Sequence, residues 1–284
     1  MVITTGRVDL HTHSTASDGL HAPAEVVQKA KQAGLAAVAL TDHDTVSGVA
    51  EAMDEGDRIG IIVVPGVELS TVADGIDIHV LAYYTDNQDE LWLERLAGIA
   101  GARERRNELI LDKLQRLGIG ISMEDVRSAA AGKGKGGSIG RPHFAEALIR
   151  KGVVSSMNEA FERFLGAGAA AYVRVPRVHP LEAIEWIREA GGVSVIAHPG
   201  LYGRDELVEE LVRGGATGIE TIHSDHGEDE ERRYGLLAQR FGLIETGGSD
   251  FHGERGGETF HGAVGSKYAD LSVVDQLRQA ARGR

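Results

Sequence analysis

Two histidines near the start of the chain have the spacing of a metal-binding pair. His11 and His13 are separated by one residue in a stretch, 7–13, that reads as a β-strand. Alternate residues of a strand project to the same face, about 7 Å apart along the chain, so both imidazoles can bind one ion. Asp18, next to Gly19, can return an oxygen ligand to them. Alone, such a pair is more typical of an ordinary strand with two surface histidines.

More histidines and carboxylates follow, or lie within, the other apolar stretches that read as strands. Six of the twelve histidines and three carboxylates belong to this set. Nitrogen and oxygen ligands without sulfur favour Zn, Mn or Fe. Nine ligands are too many for one ion, so we predict a cluster of two or three divalent ions with Glu68 as the bridging carboxylate. The nine predicted ligands are His11, His13, Asp18, His43, Glu68, His79, His198, Asp250 and His252.

The elements that must position these residues alternate between strand and helix. Such a pattern with apolar strands predicts a parallel sheet covered by helices, and in a (β/α) barrel the carboxyl ends of the strands form the active-site face. Predicted strands lie at 7–13, 35–40, 61–64, 77–83, 193–197, 218–222, 243–248 and 262–268. Predicted helices lie between them at 22–33, 46–59, 180–190, 205–213, 228–241 and 273–281.

The middle of the chain departs from this alternation. Residues 98–178 contain helical stretches but no strand of the barrel type, so we predict a helical insertion or cap between two parts of a barrel, 1–97 and 179–284. Residues 101–178 also hold fourteen Lys and Arg against eight Asp and Glu, although the whole chain has a net charge of −13. This basic segment favours an anionic ligand. The loop Gly132 to Gly137, with Lys133 and Lys135, lacks the spacing of a phosphate-binding P-loop.

Composition excludes several classes of site. The chain has no cysteine, which excludes disulfides and thiolate metal sites. No run of eighteen apolar residues predicts a membrane span, and residues 1–7 lack the pattern of a signal peptide. The expected location is therefore the cytoplasm, without a membrane partner, and no protein partner is evident.

Five short motifs, in order along the chain, resemble those of the PHP (polymerase and histidinol phosphatase) family. The resemblance covers essentially the whole predicted barrel, and it implies a distorted (β/α)7 barrel with three metal ions. Small members with a helical insert act as 3′,5′-nucleotide bisphosphate phosphatases, and some as 5′→3′ exoribonucleases on short RNA. The motifs are His11-Thr12-His13 with Ser17-Asp18-Gly19, Thr41-Asp42-His43-Asp44-Thr45, Gly66-Val67-Glu68, Ala197-His198-Pro199 and Gly248-Ser249-Asp250-Phe251-His252.

The resemblance also implies how the ligands divide among the ions. One ion would be bound by His11, His13, Glu68 and Asp250. A second would share Glu68 and add His79 and His198, of which His79 matches by strand position only. A third would be bound by Asp18, His43 and His252.

Gly140-Arg141-Pro142-His143 resembles the family segment that contributes an Arg and a His to the substrate phosphate. Independently of the family, Pro142 in a first helical turn predicts exposed N–H groups, beside which Arg141 can bind phosphate oxygens. Ile222, before His223, departs from the aromatic residue usual in the family. The predicted substrate-binding residues are Arg141, His143, His223, His226 and Arg177.

The predicted reaction is phosphomonoester hydrolysis by a hydroxide that bridges two ions. Arg141 would neutralise the phosphate, and His143 or His223 would protonate the leaving oxygen. The substrate would be a nucleotide or the 5′ end of a short RNA, and phosphate a product. Three alternatives stay open: a histidinol-phosphate phosphatase, a catalytically silent PHP module, and an amidohydrolase-like deaminase. The last would need a bridging Lys, and the sequence offers only Lys267 near a strand end.

Overall fold

The computed structural model describes residues 6–130, 139–255, 258–259 and 261–283. Its main sheet has eight strands in the spatial order β10-β1-β2-β3-β4-β5-β6-β7. The sheet nearly closes into a barrel, because the chain after β1 pairs with β7 and its extension: Leu10 N–H donates to Gly247 (3.0 Å) and Asp250 N–H to His11 (2.9 Å). The strands are β1 (Arg7–Asp9), β2 (Ala37–Leu40), β3 (Ile62–Ala73), β4 (Ile76–Tyr83), β5 (Val193–Ile196), β6 (Gly218–His223), β7 (Ile244–Gly248) and β10 (Ala269–Asp270), with a separate hairpin of β8 (Glu254–Arg255) and β9 (Glu258–Thr259).

Helices cover the barrel as the alternation predicts. In α1 the helix starts at a proline, which suits the first turn, and Val26, Val27 and Ala30 form its buried face. Two of these side chains, Val27 and Ala30, pack against Val38 of β2 and against Leu35, which precedes that strand. The helices are α1 (Pro23–Gln32), α2 (Val49–Ile59), α3 (Glu90–Arg116), α4 (Met123–Ala130), α5 (Arg141–Arg150), α6 (Met157–Ala160), α7 (Pro180–Glu189), α8 (Asp205–Arg213), α9 (Glu228–Phe241) and α10 (Ser272–Arg282), with a π-helical turn at Phe161–Leu165 and a 3₁₀ turn at Pro199–Tyr202.

The predicted α/β barrel is confirmed, but the prediction that its sheet is parallel is wrong at two places. Strand β4 is antiparallel to both β3 and β5, and β10 is antiparallel to β1. The two residues between β3 and β4, Asp74 and Gly75, both have positive φ (51° and 79°). Two such residues form a hairpin turn, and a turn this short can join only antiparallel strands. Gly75 follows Asp74 directly in the sequence, so this signal was present but was overlooked.

The reversal of β4 changes how His79 reaches the site. His79 is the fourth residue of an eight-residue strand, not a residue beyond a strand end. It pairs in register with Ser70, two residues beyond Glu68 in β3. Because β4 runs backwards, its first half lies at the same end of the barrel as the carboxyl ends of the parallel strands.

Two further strands differ from the prediction in their length or position. Strand β3 is longer than predicted and runs through Glu68 to Ala73. The strand expected at 262–268 is replaced by the two-residue β10. The Gly132–Gly137 loop lies outside the described residues. Among the residues that the structure describes, no helix is both long and apolar enough to span a membrane; a cytoplasmic location stays a prediction.

The helices in the middle of the chain have a hydrophobic cluster of their own. The first half of α3, with Trp92, Leu96 and Ile99, packs into the barrel cluster of β3, β4, α7 and α8. Its second half, with Ile110 and Leu114, packs with residues of α4 and α5. The predicted boundary at residue 98 thus lies inside α3. That 98–178 forms a separate cap domain stays a prediction.

Candidate metal centre

A buried carboxylate in the loop after β2, that of Asp42, holds the chain segment that follows β1. Asp42 accepts hydrogen bonds from Ser14 N–H (2.7 Å), from Ser14 Oγ (2.7 Å) and from Ser17 Oγ (2.5 Å). These bonds fix the segment that carries His13 and Asp18, which are both buried. The Thr-Asp-His sequence after β2 therefore positions ligands on two neighbouring segments.

Glu68 lies at the centre of the predicted ligands, on β3, where it is 1% exposed. Its Oε2 atom is 3.3 Å from His11 Nε2, 3.2 Å from His13 Nε2 and 3.0 Å from His43 Nδ1. Its Oε1 atom is 2.8 Å from His79 Nδ1 and 3.1 Å from His198 Nε2. Each oxygen therefore faces a different group of imidazoles, as a carboxylate between two ions must.

All nine predicted ligands come together at this end of the barrel. The group expected for the first ion, His11, His13, Glu68 and Asp250, has its ligand atoms within 4.8 Å of one another. Asp18, His43 and His252, expected for the third ion, form another such group that also includes His13. Around the second position the structure groups His43, rather than His198, with Glu68 and His79.

Several buried imidazole nitrogens of the predicted ligands are placed where they could bind cations. Among the described residues, His11 Nε2, His13 Nε2, His43 Nδ1 and His79 Nδ1 make no hydrogen bond, although each lies close to a carboxylate oxygen. Buried polar atoms without hydrogen bonds are rare in proteins, and here they converge with carboxylates that divalent ions prefer. The donor set thus fits divalent metal ions.

Electrostatics within the cluster are strongly coupled. Burial opposes charge on His13, but Asp250 and Glu68 outweigh it and raise its pKa to about 10. Burial likewise opposes charge on Glu68, and the surrounding imidazoles, His79 and His43 foremost, hold the pKa of its carboxyl well below the usual value. The carboxylates are thus ionised at neutral pH and available to cations.

The backbone of the site is also unusual. Asp44, His198 and Asp250 have positive φ angles of 57°, 25° and 52°. For residues other than glycine such conformations are unfavourable by about 1–3 kcal/mol each, and they cluster at functional sites.

Glu220 is a functional residue that the sequence analysis missed. It is fully buried on β6 and accepts hydrogen bonds from His11 Nδ1 (3.1 Å) and from His198 N–H (2.9 Å). The bond places the proton of His11 on Nδ1 and leaves Nε2 free to bind a metal, as carboxylates behind metal-bound histidines do. The available signal was a single charged residue inside the apolar stretch Gly218 to Ile222.

Asp9 supports the same region from β1 and was also missed. Its carboxylate accepts hydrogen bonds from Ser249 N–H (2.9 Å), Ser249 Oγ (2.6 Å) and Gly265 N–H (2.8 Å). Burial raises the pKa of Asp9 to about 6 in spite of these bonds. Asp9 therefore ties β1 to the loop that carries Asp250.

A cavity of about 330 Å³ lies over the cluster and reaches the helices of the middle segment. Seven of the predicted ligands line it, together with Arg103, Arg106, Arg141 and Arg177. Arg141 Nη2 is 2.5 Å from Asp77 Oδ2, and Arg177 donates to the other oxygen of the same carboxylate. The predicted phosphate-binding arginines thus face the cluster, but Asp77 holds both.

The three predicted substrate histidines occupy different positions. His223 is buried, with Nε2 3.5 Å from Asp250 Oδ2, and its Nδ1 accepts the Asp225 N–H. His143 is buried in the first turn of α5, where its Nδ1 accepts the N–H of Gly140 (3.1 Å). His226 donates from Nδ1 to the Thr221 carbonyl and accepts the Gly200 N–H at Nε2. Both nitrogens of His226 are thus occupied by backbone groups, which assigns it a structural position.

His261 lines the cavity and was not predicted. Its Nδ1 is 2.6 Å from Asp225 Oδ2, and its Nε2 is 3.5 Å from Asp250 Oδ2. The ligand atoms of His261, Asp250 and His252 also form a group within 4.8 Å. Nothing in the surrounding sequence distinguishes this histidine, because it follows no apolar strand.

Comparison with known proteins agrees with this geometry. A family model described as PHP domain matches residues 9–127. A 5′-3′ exoribonuclease of Haemophilus influenzae is 35% identical over 253 residues, covering 87% of this chain and 90% of the relative. A 3′,5′-nucleoside bisphosphate phosphatase of Chromobacterium violaceum is 34% identical over 254 residues, covering 86% and 87%. A crystal structure from Bifidobacterium adolescentis, described as a metal-dependent phosphoesterase, superimposes with a TM-score of 0.87 at 31% identity over 98% of both chains. The chain therefore belongs to the PHP family of metal-dependent phosphoesterases.

Proposed function

We propose that this protein hydrolyses the 3′-phosphate of nucleoside 3′,5′-bisphosphates, and that it also degrades short 5′-phosphorylated RNA from the 5′ end. The observation that carries the proposal is the cavity that joins the ligand cluster to four arginines. A substrate with two phosphates needs positive charge at two places, and this cavity offers both. The activities named for the Haemophilus and Chromobacterium relatives support the same substrate class.

We propose two or three divalent ions, of Mn, Zn or Fe, bound by His11, His13, Asp18, His43, Glu68, His79, His198, Asp250 and His252. When bound, such ions activate water and neutralise phosphate oxygens. Glu68 serves as the shared carboxylate because its two oxygens face different imidazoles. Glu220 holds His11 in the tautomer that binds through Nε2.

The remaining roles belong to residues that line the cavity and to two buried histidines near it. Arg141 and Arg177 bind phosphate oxygens, and their shared bond to Asp77 sets their orientation beforehand. His223 would donate a hydrogen bond from its Nε2–H to the leaving ribose oxygen. It would not transfer that proton, because its Nδ1 accepts the Asp225 N–H and the ring is therefore neutral. His143 positions the start of α5 through its bond with Gly140. Phe161 and Leu201 supply apolar contact for the nucleoside.

A substrate panel tests the proposal. The purified protein, loaded in turn with Mn²⁺, Zn²⁺ and Fe²⁺, is assayed on a nucleoside 3′,5′-bisphosphate, a 5′-phosphorylated oligoribonucleotide and histidinol phosphate. We expect chelator-sensitive release of phosphate from the bisphosphate, with Asp250→Asn inactive. Preference for histidinol phosphate would favour that alternative substrate. Absence of hydrolysis with every metal would favour a non-catalytic PHP module.

A further inference from the structure

The arginine side of the cavity holds more positive charge than its carboxylates neutralise. Four guanidinium groups line it, from Arg103, Arg106, Arg141 and Arg177. Within the described ranges of the chain, two carboxylates pair with them: Asp44 with Arg103, and Asp77 with both Arg141 and Arg177. Two positive charges are left over, which equals the charge of one phosphate monoester dianion at neutral pH.

Arg103 is fixed by its neighbours. Its Nε atom donates to Asp44 Oδ2 (3.0 Å), and its Nη2 atom donates to Ser70 Oγ. The other oxygen of Asp44 accepts the Ser70 N–H (2.7 Å), so the carboxylate is itself held. Arg103 is therefore oriented by β3 and by the loop after β2 before any ligand binds.

Arg106 differs from the other three arginines because it has no ion pair among the described residues. It is 6% exposed, its Nε atom makes no hydrogen bond there, and its one side-chain bond is a long contact of 3.5 Å to Asn107 Oδ1. It lies one turn of α3 after Arg103, where like charges repel. Burial, together with Arg103 and Arg141, lowers the pKa of Arg106 to about 9, although the more distant Asp44 and Asp18 oppose this shift.

A buried cation without a counter-ion is unfavourable, and proteins retain such a group where a bound ligand supplies the opposite charge. We infer that Arg106, beside the fixed Arg103, binds the second, non-scissile phosphate of the substrate. The inference rests on the proposed function, since it assigns the 5′-phosphate of a 3′,5′-bisphosphate to this side of the cavity. The scissile phosphate then lies on the side of the metal ligands. Arg106 is the residue that selects substrates with two phosphates over those with one.

Binding tests the inference without catalysis. A nucleoside 5′-monophosphate retains the non-scissile phosphate, and the unphosphorylated nucleoside does not. By titration calorimetry on metal-free protein, Arg106→Met is expected to raise the Kd for the monophosphate by about ten- to a hundredfold, the range for a hydrogen bond to a charged group. Nucleoside affinity should not change. The matched control is Arg105→Met, because Arg105 is the exposed neighbour on the same helix.

Hydrolysis gives an independent reading with the metal-loaded protein. Arg106→Met should lower kcat/KM for a 3′,5′-bisphosphate by the same factor as it weakens binding of the monophosphate. The value of kcat/KM for a 3′-monophosphate should not change. Equal losses on both substrates would overturn the inference, because Arg106 would then act on the scissile phosphate. Unchanged affinity and unchanged kcat/KM would overturn it as well.

The outcomes separate this inference from the proposed function. If the wild-type protein hydrolyses neither substrate, the proposed function fails, while a selective loss of monophosphate binding in Arg106→Met still supports a phosphate site at Arg106. Arg106→Gln, which keeps a polar side chain, is the second variant if Arg106→Met does not fold. It carries the same expected loss, and wild-type binding by a folded Arg106→Gln would contradict the inference.

Discussion

At the scale of residues, the centre depends on one carboxylate. Both oxygens of Glu68 contact imidazoles, His11, His13 and His43 on one side and His79 and His198 on the other. Although Asp250 also lies within 3.5 Å of five histidines, Glu68 is the carboxylate whose two oxygens face these two groups. We therefore expect the charge of Glu68 to decide whether neighbouring ions can be bound together.

Glu68→Gln keeps the shape of the side chain and removes this charge. We expect metal content to fall by at least one ion per chain and phosphatase activity to fall by about a thousandfold, since bridging charge is lost where ions are closest. Metal analysis by mass spectrometry and a phosphate-release assay measure both. Glu124→Gln, at an exposed position of α4, is the control. Full metal content in Glu68→Gln would exclude a bridging role.

Glu220 acts through the residues it holds rather than through the metal. Glu220→Gln places an amide against His11 Nδ1, where it can donate as well as accept, so the tautomer of His11 is no longer fixed. Removal of such a partner lowers metal affinity or activity by about 10- to 100-fold. A metal titration followed by enzyme assay at saturating metal separates the two effects. Recovery of activity at high metal concentration is expected, and no loss of affinity would contradict the positioning role.

Arg106 should reduce the stability of the unliganded protein. Its folded pKa, about 9, lies well below its ordinary value, so the full cost of its charge to folding is present below pH 9. This penalty fades as the pH rises above 9, because the folded protein releases the proton before the unfolded chain does. Arg106→Met should therefore raise the free energy of unfolding at pH 7 by about 1–4 kcal/mol. Urea denaturation measures this free energy. If Arg106→Met were less stable than the wild-type protein, Arg106 would have a stabilising counter-ion.

At the scale of elements, the approach of α5 to the cluster requires a glycine. A Cβ atom on Gly140, which precedes the helix, would lie 2.9 Å from Asp18 Oδ2 and 3.8 Å from Arg103 Nη1. The distance to Asp18 is shorter than the contacts that Cβ atoms make in real proteins. Gly140 therefore permits the start of α5, with Arg141 and His143, to lie against a predicted metal ligand.

Gly140→Ala should displace this helix start. We expect substrate affinity to fall by about tenfold, since a shift near 1 Å of positioning residues has large effects on rate and binding. Gly98→Ala is the matched control, because a Cβ on Gly98 in α3 meets nothing within 4 Å. The control should be stabilised by about 0.4–1 kcal/mol through the unfolded chain. Equal behaviour of the two variants in melting and KM measurements would refute a special requirement at Gly140.

At the scale of the whole molecule, the barrel holds the metal ligands and the middle helices hold three of the four cavity arginines. The segments after β1, β2, β5 and β7, together with β3 and β4, bring imidazoles and buried carboxylates to one place. Without metal ions, the carboxylates and imidazoles at the centre can neutralise one another only in part. Metal binding should therefore stabilise the whole barrel.

Removal of metal by a chelator, followed by dialysis, should lower the melting temperature. Ligand present at a hundred times its Kd stabilises a protein by about 2.7 kcal/mol, which for a chain of this size is a shift of several degrees. Calorimetry of the metal-free and reloaded protein measures the shift. The variant Asp250→Asn should show a smaller one. Identical melting with and without metal would contradict the proposed centre.

Much of this architecture was predictable from the sequence. The βα alternation and the placement of histidines after apolar strands are local patterns, and they predicted the barrel and nine converging side chains. The same patterns failed at β4, because alternation says nothing about strand direction and the Asp74-Gly75 turn was not considered. They also failed at Glu220 and His261, because neither belongs to a motif and each acquires its partners from distant segments.

The sequence by itself determined which residue types are present, their order, and the period that gives each strand and helix its buried face. These properties depend on neighbours in the chain. Only the tertiary structure decided that His43 stands with Glu68 and His79, and that Asp77 holds Arg141 and Arg177 together. It also decided that Arg106 is buried without a counter-ion among the residues that the structure describes. Pairing and burial of charge depend on which distant segments meet when the barrel closes, and spacing along the chain does not contain that information.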